Sequence, residues 1–364
     1  MRNYYLFFIA GFLLISLTTP AQDVDLLWAE GFSDNNGIGP SKLVADKNGN
    51  TFVIGSFLGT VDFDPGPGSA SFTASNDVFN SGSYFAKYDA DGKYVFAYFM
   101  ADSGQVLVHD IKLDHDNNIW ITGTLSSTMD FDLNSGTANF TSKEVGDIFV
   151  ARYDSNGNYL QAFFLGGGIP RDFIVDSDGN ILITGLFWGT KDFDPGPEVH
   201  NLSSDSQNSN IFHAKYSSSG DLKYAFSINS SNRNRTDNVH SVATDAMGNT
   251  YLSGQFLYPI DLDPGSGDAF FSPMAGIDGF VAKYNSIGEF VSAFTLNGGA
   301  NFLAVDGMNN LYVSGSVPDS MDVDPGPDVA MLYSENNFDV YFAKYDENGN
   351  FLHASVFESN HGYE

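Results

Sequence analysis

The stretch Val61-Asp62-Phe63-Asp64-Pro65-Gly66-Pro67 recurs in modified form along the chain. Its counterparts are Asp130-Phe131-Asp132, Asp192-Phe193-Asp194-Pro195-Gly196, Asp261-Leu262-Asp263-Pro264-Gly265 and Asp322-Val323-Asp324-Pro325-Gly326. The first aspartates of successive copies are 68, 62, 69 and 61 residues apart. Self-similarity at a nearly constant period indicates a repeat architecture. The sequence is therefore interpreted as five related units.

A hairpin pattern precedes the acidic motif in every unit. An apolar segment ends in an aspartate, an Asn/Gly-rich turn follows, and a second apolar segment ends in glycine, a pattern that predicts a β-hairpin. The turn aspartates are Asp46, Asp114, Asp176, Asp245 and Asp306, and the glycines are Gly55, Gly123, Gly185, Gly254 and Gly315. The first acidic-motif aspartate follows each glycine by seven residues. This constant spacing predicts an ordered arm, because a loose loop would tolerate insertions.

Two further strands are expected after each arm. The third strand, at 84–88, 149–153, 212–216, 280–284 and 341–345, alternates an aromatic residue, Ala and Tyr on one face. Its other face carries Lys87, Arg152, Lys215, Lys283 or Lys344. After a second tight turn, the fourth strand shares an alanine, which is Ala97, Ala162, Ala225, Ala293 or Ala354.

Four short strands per unit in meander order predict an all-β fold. The specific prediction is a β-propeller of five four-stranded blades, each with an acidic Asp-x-Asp-Pro-Gly arm. It would occupy residues 22–364, with repeats at about 42–100, 108–165, 171–228, 240–296 and 301–357. A lone outer strand is expected at 25–32. Because 351–357 already supplies the last fourth strand, two interpretations stay open: a five-bladed ring with one redundant strand, or a fragment of a longer repeat array continuing past Glu364.

Two motifs of the unit resemble those of the bacterial SBBP-type propeller repeats. They are Asp-x-x-Gly-Asn-x-(aromatic or aliphatic)-x-(Thr/Ser)-Gly, as at 176–185, and Phe-x-Ala-Lys-Tyr, as at 212–216. The resemblance covers nearly all of residues 25–357, although the acidic arm makes the blades longer than a minimal repeat. It implies an exported or surface protein, notably of Bacteroidota, and it implies no shared catalytic residue.

The first 21 residues have the pattern of a secretory signal peptide. Arg2 precedes a mostly apolar run at 4–17, and Thr19-Pro20-Ala21 offers cleavage near Ala21/Gln22. No later stretch approaches the ~18 apolar residues of a spanning helix, so membrane insertion is not expected. The chain has no cysteine, and its apolar content of 42% must supply the core without disulfides. The predicted location is secreted or at the cell surface.

The charge balance limits the partners. With 16 basic and 45 acidic residues, the formal net charge is −29. Such a charge argues against nucleic acid or anionic lipid as a partner, and it permits cations. The remaining expectation is an unknown protein or glycan ligand.

The paired carboxylates of the arms have two interpretations. Calcium takes six to eight oxygen ligands, so the arms are candidate calcium sites formed by Asp62, Asp64, Asp130, Asp132, Asp192, Asp194, Asp261, Asp263, Asp322 and Asp324. In the structural interpretation, the second aspartate caps an Asp-Pro-Gly turn and the first holds backbone amides. Calcium is the one cofactor that the sequence proposes.

The meander order also predicts where the loops lie. The two turns of each unit should share one face, while the arms and the linkers between units should share the opposite face. The repeated Lys or Arg lies close to the second turn, which predicts five ion pairs with the turn aspartates, each worth about 0–1 kcal/mol if exposed. The longest linker, 229–237, carries Arg233 and Arg235, which are interpreted either as specificity residues or as part of a solvated loop.

No familiar catalytic motif is present. The sequence lacks a Gly-x-Ser-x-Gly elbow, a His-Glu-x-x-His motif, a phosphate-binding loop and a cysteine nucleophile. His109 and His115, with Asp110, Asp114 and Asp116 nearby, are either a metal-binding cluster or, more simply, exposed turn residues.

The favoured function is an exported, non-catalytic β-propeller that serves as a surface binding or scaffold module. The alternative is a carbohydrate-active hydrolase or lyase with carboxylates near the propeller axis, about 5–9.5 Å apart.

Overall fold

The computed structural model describes residues 38–75, 81–101, 106–204, 209–230, 237–274, 276–334 and 339–357. Every regular element in these ranges is a β-strand. The same ranges contain no helix that is long and apolar enough to cross a membrane. The predicted signal peptide at 1–21, the lone strand at 25–32, Arg233, Arg235 and Glu364 lie outside the described residues.

The described residues form 29 strands in five successive units. The first unit contains β1 (Ile38–Ala45), β2 (Thr51–Phe57), β3 (Thr60–Asp62), β4 (Ser71–Thr73), β5 (Gly82–Tyr88) and β6 (Tyr94–Ala101). The second contains β7 (Val106–Leu113), β8 (Ile119–Leu125), β9 (Thr128–Asp130), β10 (Asn139–Thr141), β11 (Asp147–Tyr153) and β12 (Tyr159–Val175). The third adds β13 (Ile181–Phe187), β14 (Thr190–Asp192), β15 (Asn201–Ser203), β16 (Asn210–Tyr216) and β17 (Leu222–Ser230). The fourth contains β18 (Asn238–Thr244), β19 (Thr250–Phe256), β20 (Ile260–Asp261), β21 (Phe270–Phe271), β22 (Asp278–Tyr284) and β23 (Phe290–Leu296). The fifth contains β24 (Phe302–Val305), β25 (Leu311–Val317), β26 (Ser320–Asp322), β27 (Met331–Tyr333), β28 (Asp339–Tyr345) and β29 (Phe351–Phe357).

Each unit contains one antiparallel four-stranded meander, here called a blade. In blade 1 the order is β1-β2-β5-β6, and blades 4 and 5 repeat it. The long strand β12 is continuous: residues 159–167 form the fourth strand of blade 2, and residues 168–175 form the first strand of blade 3. The two short strands between the second and third strands of each blade pair with each other and form the arm. The predicted all-β fold, strand order and ordered arms are confirmed.

The hydrophobic core lies between neighbouring blades. Phe52 and Ile54 of blade 1 pack against Ile121 and Phe149 of blade 2, and equivalent clusters join the following blades. The first strands of successive blades contact one another, β1 with β7, β7 with β12, β12 with β18 and β18 with β24. These first strands therefore form the inner side of a propeller-like array.

The two end blades each leave one face open. Leu43 of blade 1 is 63% exposed, whereas Ile111 and Phe173 at the same position of blades 2 and 3 are buried. At the other end, Val340 of blade 5 is 48% exposed, whereas its counterpart Ile148 is fully buried. No strand pairing joins blade 5 to blade 1 within the described ranges. The described blades thus form an array with two open end faces.

Candidate functional site

The acidic arms fold back along the blades toward the turns. The hydroxyl of Tyr88, the last residue of β5 before the second turn, donates to the Phe63 carbonyl in the arm (3.0 Å). In unit 2, the arm residue Asn134 donates to the carbonyl of Gly157 in the second turn (3.2 Å) and accepts from Tyr98 of blade 1 (2.8 Å). The predicted separation of arms and turns onto opposite faces is therefore wrong. The physical reason is that the apolar centre of the arm becomes buried only when the arm lies against the blades.

That apolar centre is the residue between the two aspartates, and it is fully buried in every arm: Phe63, Phe131, Phe193, Leu262 and Val323. The ring of Phe193 lies 4.9 Å from that of Phe212 and 5.5 Å from that of Phe187. Neighbouring arm residues pack on the fourth strands, as Phe140 does on Phe164 at 5.1 Å. Each arm is thus a wedge in the hydrophobic core.

The first aspartate of each arm binds two backbone amides. In the third arm, Oδ1 of Asp192 accepts from the N–H of Asp194 (3.0 Å) and from that of His200 (2.9 Å). The same two bonds occur, at offsets of two and eight residues, at Asp62, Asp130, Asp261 and Asp322. The first carboxylate therefore closes the loop of the arm.

The second aspartate caps the turn that follows it. Oδ1 of Asp194 accepts from the Gly196 N–H at 2.7 Å, and Asp64, Asp132, Asp263 and Asp324 make the equivalent bond. In all ten predicted metal ligands, Oδ1 is thus bonded to the arm's own backbone. The described residues contain no group of three or more His, Cys, Asp or Glu side chains placed to hold a metal ion.

Thermal unfolding tests the calcium prediction for the arms. Because backbone amides already satisfy Oδ1 of each carboxylate, we expect the same midpoint in EDTA and in millimolar calcium. A midpoint that rises on addition of calcium and falls again with EDTA would instead identify bound calcium, since a ligand that binds the folded state stabilises it.

Four of the five predicted turn ion pairs are present. The distances are 2.7 Å for Arg152–Asp114, 3.0 Å for Lys215–Asp176, 3.9 Å for Lys283–Asp245 and 3.4 Å for Lys344–Asp306. Lys87 differs, because its Nζ donates to the Ser155 carbonyl of the next blade (2.7 Å) and is not within 4.0 Å of Asp46. The value of about 0–1 kcal/mol applies only to exposed pairs, and the Lys215 and Asp176 side chains are each only 6% exposed.

Two further contacts of the turn ion pairs, one to the aspartate and one to the cation, were not predicted from the sequence. The asparagine four residues later donates its Nδ2 to the carboxylate, as Asn180 does to Asp176 at 2.9 Å. An aromatic ring lies beneath the cation in four blades, with centroid distances of 5.1 Å for Lys87 on Phe52, 5.0 Å for Arg152 on Trp120, 5.0 Å for Lys283 on Tyr251 and 4.9 Å for Lys344 on Tyr312. The sequence contained both signals. An asparagine follows each turn aspartate by four residues, and an aromatic residue follows it by six residues in those four blades.

These contacts control the charge of the turn aspartates. Burial alone would raise the pKa of the Asp114 carboxyl, but hydrogen bonds from Asn118 and Trp120 outweigh it. The pKa of Asp114 therefore lies below its ordinary value, and that of Asp176 is lowered in the same way by Asn180 and Lys215. The Asp114 and Asp176 carboxylates are therefore ionised structural groups of the frame.

The inner strands carry a second feature, a β-bulge in each of the first four blades. The strand register skips one residue between Pro40 and Lys42, Val108 and Asp110, Pro170 and Asp172, and Val239 and Ser241. The skipped positions, here called the bulge residues, are Ser41, His109, Arg171 and His240. The repeated glycine lies opposite each bulge, and a Cβ at Gly185 would stand 2.2 Å from the Ile169 carbonyl oxygen. The glycine is needed for this close approach of two strands.

Three of the bulge residues, His109, Arg171 and His240, lie on first strands that contact one another and are here called the bulge cluster. Burial lowers the pKa of His109 and of His240, and the charge of Arg171 lowers both further. One guanidinium thus lies near two imidazoles from the neighbouring blades. His109 is therefore not a turn residue, and it is not combined with His115, whose side chain is 97% exposed beside Asp116.

A buried acidic pair lies next to the bulge residues. Lys112 Nζ is 2.9 Å from Asp110 and 3.6 Å from Asp172, which joins blades 2 and 3. Asp172 also accepts from the hydroxyl of Ser241 (3.0 Å) and from the N–H of Val242 (2.9 Å) in blade 4. Burial raises the pKa of Asp172, while Lys112 opposes that rise. Asp172 of blade 3 thus connects blades 2 and 4.

Comparisons with known proteins give likenesses of fold alone. No family model matches the sequence, and no curated protein matches it. Similar solved structures include the Dos1 propeller, 10% identical with a TM-score of 0.41, covering 90% of this chain and 86% of that chain. A protein of unknown function from Bacteroides caccae is 10% identical with a TM-score of 0.35, covering 75% of this chain and 90% of its own. BamB from Moraxella catarrhalis is 14% identical with a TM-score of 0.25, covering 75% and 92%.

The strand order and the packing of the blades define the class of protein. It is an all-β, strand-rich and propeller-like repeat protein. Its repeated polar residues belong to the frame, and its inner strands carry the residues that vary from blade to blade.

Proposed function

We propose that the chain is an exported, non-catalytic propeller of the SBBP type that acts as a surface binding or scaffold module for a protein or glycan ligand. The observation that carries the proposal is that recurring and variable positions of the repeat have different environments. Most residues that recur in every blade are bonded to one another within the frame, whereas the bulge positions of the first four blades hold Ser41, His109, Arg171 and His240. Variable residues on a rigid frame are where binding specificity commonly resides.

The environment of the inner carboxylates also favours binding over catalysis. Asp110 and Asp172 are the acidic pair nearest the bulge residues, which is where a hydrolase or lyase would need them. Both are instead bonded to Lys112, and Asp172 is bonded to Ser241 as well. A general acid must reach the substrate, whereas Asp110 is paired with Lys112 of its own strand and Asp172 is bonded to residues of blades 2 and 4. Export follows from the proposed signal peptide at 1–21.

A polysaccharide panel tests this function. We expect affinity electrophoresis of the full chain to show retardation by at least one polysaccharide, with no new reducing ends and no unsaturated products after long incubation. Release of either product would contradict the non-catalytic role and favour the hydrolase or lyase. Absence of retardation by every polysaccharide would contradict a glycan ligand.

A further inference from the structure

Building on the binding role proposed above, we propose that His109, Arg171 and His240 form a site for an oxyanion group of the ligand, a carboxylate or a phosphate. The three side chains come from the first strands of blades 2, 3 and 4, at the same position of the repeat. These strands contact one another in series, β7 with β12 and β12 with β18. Successive members of the three are more than 60 positions apart in the sequence, and the fold therefore brings distant residues together.

The bulge explains why these side chains are not part of the repeated frame of the blades. A bulge leaves its extra residue outside the hydrogen-bonded ladder and redirects its side chain, and for this reason bulges are frequent beside binding sites. The bulge itself recurs in the first four blades, so it belongs to the architecture. The residue placed on it is serine in blade 1 and a basic or imidazole side chain in blades 2 to 4.

Part of the hydrogen-bonding capacity of the cluster is unused, although a side-chain hydrogen bond joins His240 to Gln255. Nε2 of His109 and Nε2 of His240 are buried and have no hydrogen-bond partner among the described residues. Most buried polar atoms in proteins are paired, so two orphaned nitrogens at equivalent positions call for a partner. Arg171 has no carboxylate within 4.0 Å in the described ranges, although the chain has a formal net charge of −29.

The neighbouring carboxylates of Asp110 and Asp172 have other partners. Lys112 pairs with Asp110 of its own strand and with Asp172 of blade 3, and Asp172 is also bonded to Ser241 and Val242 of blade 4. The cluster consequently offers a guanidinium with five N–H donors and two imidazoles that can each present an N–H. Arginine binds carboxylate and phosphate through two parallel hydrogen bonds. Because Arg171 and the two imidazoles offer hydrogen-bond donors, an oxyanion is the ligand chemistry that fits them.

Titration with two anions tests the site. The full chain is titrated with inorganic phosphate and, separately, with glucuronate, while the imidazole resonances of His109 and His240 are followed by NMR. We expect one of the anions to shift both sets of resonances, and Arg171→Gln to weaken that binding by about tenfold or more, as the loss of a charge-assisted bidentate contact predicts. A response to phosphate alone identifies a phosphate group, and a response to glucuronate identifies the carboxylate of an acidic sugar.

A matched variant separates the site from the general charge of the protein. Lys93→Gln also removes one positive charge, but from an exposed turn where Lys93 pairs with Asp91; it should bind the anion like the wild type. Because Arg171 is exposed, its replacement should leave the thermal midpoint unchanged. Absence of a shift with both anions, or equal affinity in Arg171→Gln, would overturn the site. Retention of a polysaccharide without such shifts would overturn the oxyanion site while the binding function stands.

Discussion

Replacement of Phe193 by alanine is expected to lower the free energy of unfolding by about 3–5 kcal/mol, the cost of deleting a buried phenyl ring. The ring is fully buried between blades 2 and 3 and touches the rings of Phe187 and Phe212. It also belongs to the arm, whose two aspartates accept hydrogen bonds from the arm's own backbone. The cavity would therefore form in the core that joins the blades.

Urea unfolding of the variant and of a matched control measures this effect. Phe270→Ala removes the same side chain from the fourth arm, where the ring is 64% exposed. We expect that control to change stability by less than about 1 kcal/mol. Equal effects of the two substitutions would contradict the assignment of the arms as core wedges.

Asp176→Asn is expected to cost a similar amount, about 3–5 kcal/mol at neutral pH. The substitution preserves the shape of the side chain but leaves the ammonium of Lys215 without its counter-charge, and both side chains are only 6% exposed. An uncompensated buried charge costs far more than a lost surface pair. Asp91→Asn is the matched control, since it breaks the exposed Lys93–Asp91 pair, whose contribution should not exceed about 1 kcal/mol.

The pH dependence of this effect has a defined sign. The folded pKa of Asp176 lies below its ordinary value, although burial acts in the opposite direction, because Asn180 and Lys215 stabilise the carboxylate. The resulting stability is present above the unfolded pKa of about 4 and is lost as the pH falls toward the folded value. The difference between wild type and Asp176→Asn should therefore shrink below about pH 4. A difference that stayed constant from pH 7 to pH 3 would show that the ion pair is not its cause.

The strands, the arms and the turn pairs could be predicted because the repeat presents each of them five times. Alternation in 212–216 predicted β16, and the constant offset of Asp192 from Gly185 predicted an ordered arm. The direction of the arm could not be predicted, because spacing specifies its length and not the side to which it folds. Burial of Phe193 decides that direction, and it depends on contacts with two blades.

The bulge cluster was missed for a different reason. The bulge positions hold Ser41, His109, Arg171 and His240, so comparison of the five units discards them as variable positions. The one available signal was the repeated glycine opposite each bulge, which marks a close approach of two strands. Which residues meet across the blades follows only from the stacking of the first strands.

The central claim is that the arms build the frame and the inner strands bind the ligand. Calorimetric titration of inorganic phosphate into Asp194→Asn and Arg171→Gln tests it most directly. Asparagine retains the Oδ1 that caps the Gly196 N–H, so the arm variant should fold and bind within about twofold of the wild type, since charges beyond a Debye length are screened. Arg171→Gln should lose about tenfold or more. Loss of binding in Asp194→Asn with full binding in Arg171→Gln would place the ligand at the arms and contradict the account.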